Sequence, residues 1–166
     1  TTETGKLPGL FGKAVDIPAY IEDKTDPYFI GQGTEKGPFL IATAEQLVKL
    51  AELVNKGDTT YNSAYYRLMA DIDLSVYDNS NTSFNGGRGW VPIGKSGRSF
   101  SGTFDGDGHT ITGLYIDDAG MSGAGLLGYV SGGTIKNIGL KNVNIKANYD
   151  VGAVSGYIEN GGVENC

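Results

Sequence analysis

Glycine placement narrows the fold more than any other feature. Of 27 glycines, 7 fall in residues 1–83 and 20 in residues 84–166. Glycine every few residues between short β-branched runs sets frequent corners and leaves no stretch for a helix, so the second half must be built from short strands. Past Phe100 the chain also repeats. Thr110–Ile116 aligns with Thr134–Leu140 at an offset of 24, Leu126–Val130 with Val154–Ile158 at 28, and Ile135–Ile138 with Val163–Cys166, again at 28. Such units carry no helix and are too short for a propeller blade, so they read as stacked supersecondary structure.

Within a unit, Ile135, Ile138, Leu140, Val143 and Ile145 are spaced by 3, 2, 3 and 2 residues. Steps of two are strand alternation, and each step of three is a corner that keeps the next side chain facing inward. A chain that turns this way while burying one aliphatic column coils, and the expected class is all-β: a β-solenoid with strands stacked about 4.8 Å apart. Ile111, Ile135 and Val163 should then lie above one another, and the surface-module reading developed below leans on that column.

The first half differs. Thr43 and Gln46 form a capping box, Leu47, Leu50, Ala51 and Val54 share one stripe, and Gly57 follows as a C-terminal glycine, which predicts a helix over 44–55. Lying before the first strong strand, it would cap the exposed start of the solenoid. Tyr65 to Leu74 alternates as one half-buried strand, with Leu68, Ala70, Ile72 and Leu74 inward and Arg67, Met69, Asp71 and Asp73 outward. Residues 1–38 read as an N-terminal arm or edge segment, with edge strands expected between Ile17 and Ile30, and residues 39–166 as the β-helix domain. Cys166 aligns with inward Ile138 and is expected to be a small buried hydrophobe. The last unit would then present an open face, covered by further repeats of the same polypeptide or by another chain. The start, Thr1-Thr2-Glu3, lacks a charged-then-apolar signal and reads as a processed start.

Charge and composition exclude several functions. The net charge is −6 with no basic run, which argues against nucleic acid. One cysteine and one histidine, Cys166 and His109, provide neither an internal disulfide nor a Cys/His zinc cluster. No run approaches the roughly 18 apolar residues of a membrane span.

Several stretches resemble the GLUG-motif family, repeats of bacterial extracellular and surface proteins. They are Gly33-Thr34-Glu35 through Pro38-Phe39-Leu40-Ile41, Thr43-Ala44-Glu45-Gln46-Leu47, Ala70-Asp71-Ile72-Asp73-Leu74, Trp90-Val91-Pro92-Ile93-Gly94, Phe100 through Ile111, and Gly125-Leu126-Leu127-Gly128-Tyr129-Val130. The likeness spans about residues 33–166 and departs at Ala153-Val154-Ser155-Gly156, where the family has Gly-Leu-Val-Gly. The resemblance implies a right-handed parallel β-helix, a secreted or cell-surface location and a role in adhesion or surface display. It carries no catalytic residues.

Candidate chemistry is sparse. Asp105-Gly106-Asp107-Gly108 resembles part of a calcium loop, which makes Asp105 and Asp107 candidate calcium ligands. A full loop would need a third acid where His109 stands, and Asp-Gly pairs are also the chemistry of a turn requiring positive φ. Asp71 and Asp73, about 7 Å apart on one strand face with Arg67 beside them, resemble the carboxylate pair of a glycosidase, or simply a solvated strand face. Trp90, with Tyr77 and Arg88 nearby in the polar segment 75–99, could stack on a sugar ring, though its Trp-x-Pro-Ile-Gly setting suggests packing at a corner. Gly94-Lys95-Ser96 has the tail of a phosphate loop, but Pro92 interrupts it.

The expected function is a non-catalytic extracellular repeat module for adhesion or surface display. Its contacts would be host glycan or protein, made through Trp90, Tyr77, Arg88, Asp71 and Asp73, with no cofactor. Two alternatives remain: a polysaccharide lyase or glycoside hydrolase on a β-helix, and a self-assembling filament subunit that associates through its C-terminal face.

Overall fold

A computed structural model describes residues 26–166 and, as backbone pairing, the strands β1 (Lys6–Pro8) and β2 (Ala14–Asp16), which are antiparallel. The edge strands expected between Ile17 and Ile30 fall largely outside the described residues. Phe29 is buried and Ile30 bridges Leu40, so the described end of the 1–38 segment packs on the body.

Helix α1 (Ala44–Lys56) forms as its signals dictate. Thr43 accepts from the Gln46 amide, the Gln46 side chain returns to the Thr43 amide, and Gly57 closes the helix at φ +84°. Leu47, Leu50, Ala51, Leu53 and Val54 are buried, and a short α2 (Thr59–Asn62) follows.

The strands are β3 (Phe39–Ile41), β4 (Tyr65–Leu68), β5 (Ile72–Asp73), β6 (Thr103–Asp105), β7 (Thr110–Thr112), β8 (Tyr115–Ala124), β9 (Leu127–Ser131), β10 (Thr134–Lys136), β11 (Gly139–Lys141), β12 (Asn144–Val151), β13 (Ser155–Glu159) and β14 (Gly162–Glu164). One sheet is ordered β14-β10-β6-β4-β3, a second β11-β7-β5, and β12-β8 and β13-β9 are pairs; all of these pairings are parallel.

This arrangement corrects the expected all-β right-handed β-helix. The strands belong to five separate small sheets, of five, three, two, two and two strands, one of them antiparallel, and α1 and α2 supply part of the core. Two physical causes are visible. Corners with positive φ, such as Gly113, Gly132, Asn137 and Asn142, turn the chain out of each ladder after a few residues. The segment between β5 and β6 carries no strand and touches its neighbours through single bridges, Gly89 to Ile116, Ile93 to Leu127 and Phe100 to Val130.

Register corrects the aliphatic column as well. Ile135 lies between Phe104 and Val163, whereas Ile111 lies between Ile72 and Leu140 in a different sheet. The offset of 24 therefore compares two different sides of the molecule, while the offset of 28 is the true register of β10 with β14 and of β9 with β13. The expected strand Tyr65–Leu74 is likewise two strands in two sheets, although Leu68, Ile72 and Leu74 are buried as alternation requires.

Phe39, Tyr66, Phe104 and Ile135 follow one another across the inner face of the five-stranded sheet, each no more than 3% exposed. Phe29, Phe39, Tyr61 and Tyr66 pack with ring centroids 5.4–6.0 Å apart. Their polar ends are satisfied: the Tyr66 hydroxyl donates to the Tyr61 carbonyl at 2.7 Å and the Tyr61 hydroxyl to Asp26 at 2.7 Å. Cys166 is exposed rather than buried, because it lies beyond β14, the edge strand of its sheet.

Candidate functional site

The outer face of the five-stranded sheet carries the most organised set of polar side chains. Parallel register aligns Arg67 on β4 with Asp105 on β6, Asp105 with Lys136 on β10, and Lys136 with Glu164 on β14. Charges thus alternate across four neighbouring strands, the order in which adjacent pairs attract. The Lys136 ammonium stands 3.6 Å from Asp105. Beside this row Asn165 donates to Asn137 at 3.2 Å, and Asn137 donates to Asp105 at 3.0 Å, an amide ladder one residue along. Glu35, Pro38 and Tyr65 complete a polar groove of about 470 Å³.

Sequence reasoning missed this face. Aligning Ile135–Ile138 with Val163–Cys166 brings Lys136 beside Glu164 and Asn137 beside Asn165, so half of it was readable. Arg67 and Asp105 are 38 residues apart, outside any regular period, and only strand register joins them.

Asp105 serves this ladder rather than a calcium loop. One carboxylate oxygen accepts from the Asp107 amide and from Asn137, and the other faces Lys136. Asp107 and Gly108, at φ +49° and +82°, form a tight turn closed by the His109 amide on the Gly106 carbonyl. Partial burial pushes the Asp105 carboxyl up, but Asn137, the Asp107 amide, Lys136 and Arg67 together hold it below its ordinary value.

The other candidates are scattered. Asp71 and Asp73 do not act as a pair: Asp71 accepts from the Thr110 amide at 2.9 Å and lies 3.2 Å from His109 Nδ1, while Asp73 accepts from the Ser75 amide at 2.8 Å. These bonds, Thr110 first for Asp71 and Ser75 for Asp73, lower both carboxyls, the opposite of what a general acid needs. Arg67 belongs to a different sheet from Asp73. Trp90 is 1% exposed, and its indole donates to the Leu126 carbonyl at 3.0 Å, so it offers no open face to a sugar. Tyr77 is half-buried against Phe84, and Arg88 is exposed and paired with Asp118 at 3.3 Å.

Over 139 residues, 81% of its length, this chain is 38% identical to Halomucin of Haloquadratum walsbyi. Over 111 residues, 66% of the chain, it is 33% identical to a protein of Evansella cellulosilytica named as a Gly-rich membrane protein. The chain spans 1% and 12% of the lengths of these two relatives. No family model matches the chain, and no solved structure matches it.

The Asp105 ladder gives a pH prediction. A carboxyl depressed in the folded state contributes stability that is complete above the unfolded value of about 3.9 and is lost as pH falls through the lower native value. Asp105→Asn should therefore flatten the acid limb of a stability-versus-pH curve measured by urea unfolding between pH 6 and pH 2. An unchanged limb would mean that the ladder is not electrostatically coupled.

Proposed function

We propose that this chain is a non-catalytic extracellular module of a surface or secreted protein, of the GLUG-motif repeat kind, that serves adhesion or surface display. In this reading it contacts host carbohydrate through the outer groove of the five-stranded sheet. The observation that carries the reading is the similarity to Halomucin across 81% of the chain, supported by a second relative named as a membrane protein. These names stand where the expected aliphatic column can no longer serve as the argument. Among the described residues no helix is long and apolar enough to cross a membrane.

The groove supplies what sugar hydroxyls recognise. Arg67 and Lys136 donate, Asp105, Glu35 and Glu164 accept, and the half-buried Tyr65 offers ring surface. Charges of both signs in register suit a hydroxyl-rich ligand better than a polyanion. The hydrolase and lyase alternative is disfavoured by the carboxylates themselves, since Asp71 is tied to the Thr110 amide and Asp73 to the Ser75 amide, and both are held acidic.

A glycan array followed by calorimetry tests the reading. Binding of a neutral or mixed-charge glycan is expected, weakened at least about tenfold, the equivalent of 1.4 kcal/mol, by Arg67→Ala with Lys136→Ala. Asp71→Ala and Asp73→Ala should leave it unchanged, and no new reducing ends or unsaturated products should appear. Release of such products, or glycan binding indifferent to Arg67 and Lys136, would overturn it.

A further inference from the structure

The outer face of the five-stranded sheet changes character from one strand to the next. On one side of Arg67 its register partner is Asp105, and on the other it is Leu40 of β3. Alternation puts Pro38, Leu40, Arg67 and Met69 on this face, because Phe39, Ile41, Tyr66 and Leu68 between them are buried. Met69 is 50% exposed, while Leu40 and Pro38 are half-buried. Beside the charged row there is thus a small apolar floor.

That floor lies in a second hollow, of about 220 Å³, in which Leu40, Met69 and Pro38 are joined by Lys36, Arg67 and Asp107. Pro38 and Arg67 also line the polar groove, so the two hollows share a wall and one ligand can reach both. The polar groups around the floor differ in sign. Lys36 and Arg67 can only donate hydrogen bonds, the Asp107 carboxylate accepts them, and all three are exposed. A bare methyl group would use the floor and none of these charges. A carboxylate would meet the cations but be repelled by Asp107. An acetylated amine answers every feature: its methyl covers Leu40 and Met69, its carbonyl accepts from Lys36 or Arg67, and its N–H donates to Asp107.

We propose that this hollow is an acetamido subsite, so that the glycan held in the groove carries an N-acetylated amino sugar. The inference rests on the carbohydrate reading and specifies which sugar the groove takes. Arg67 links the two parts, with ring hydroxyls on the Asp105 side and the acetyl group on the Leu40 side.

Two tetrasaccharides separate the alternatives: chitotetraose, with an acetamido group on every ring, and cellotetraose, with a hydroxyl in its place. Titrated calorimetrically into the full chain, chitotetraose is expected to bind about tenfold more tightly, the combined effect of one covered methyl group and one amide hydrogen bond. Met69→Ser, a change at an exposed side chain, should bring the two ligands to within about twofold of each other. Val76→Ser alters a side chain that is 60% exposed and lines neither hollow, so the preference should persist. Equal affinity for the two saccharides, or a preference that survives Met69→Ser, would overturn the acetamido subsite and leave the carbohydrate reading standing. Binding of neither saccharide, with other glycans retained on the array, would also overturn the subsite alone. An array that retains no glycan at all would overturn both.

Discussion

Replacing Trp90 by alanine is expected to destabilise the protein by about 3–5 kcal/mol, the cost of emptying a fully buried aromatic site. Against a typical total of about 5–15 kcal/mol this threatens folding outright. Trp90 is 1% exposed, its indole reaches the Leu126 carbonyl, and its amide donates to the Tyr115 carbonyl at 2.7 Å. Trp90→Phe retains most of the ring volume and gives up the indole hydrogen bond, so it should cost only about 1–2 kcal/mol. Urea unfolding followed by circular dichroism measures both. A loss under about 1 kcal/mol for the alanine variant would show that Trp90 is not the packed corner described here.

Gly89→Ala is expected to be strongly destabilising. Gly89 has φ +82°, and a Cβ there would stand 2.2 Å from the Tyr115 carbonyl oxygen, the acceptor that holds Trp90. The left-handed backbone alone costs an L-residue about 1–2 kcal/mol, and the backbone clash adds to it, so a total of about 3 kcal/mol or more is expected. Gly108 makes the control. Its φ is also +82°, but nothing lies within 4 Å of its Cβ position, so Gly108→Ala should show the conformational cost alone. If the two variants melt alike, crowding at Gly89 is refuted as the cause. The contrast separates glycines needed for turning from glycines needed for close approach of neighbouring segments.

Much of the local structure was legible because its causes are local. The capping box of Thr43 and Gln46, the stripe of α1 and the stop at Gly57 are decided within a few residues of chain. The Asp105–Gly108 turn is of the same kind, since positive φ at two successive positions is a property of the residues that occupy them. Trp90 as a candidate sugar platform shows the limit. It stands in a polar segment, but its indole and amide are held by the Leu126 and Tyr115 carbonyls, brought from elsewhere in the chain.

By itself, then, the sequence determined where the chain turns, which segment is helical, which side of each strand is apolar and that units of 28 residues pair with one another. Tertiary structure alone decided which strands become neighbours. The irregular segment between β5 and β6 sets the spacing of Arg67 from Asp105, and strand register places Ile111 beside Leu140 rather than Ile135. The charged row of the groove follows from that register. Register is a property of pairs of distant segments, fixed by which backbone hydrogen bonds and buried side chains can be satisfied together, and no single segment encodes it.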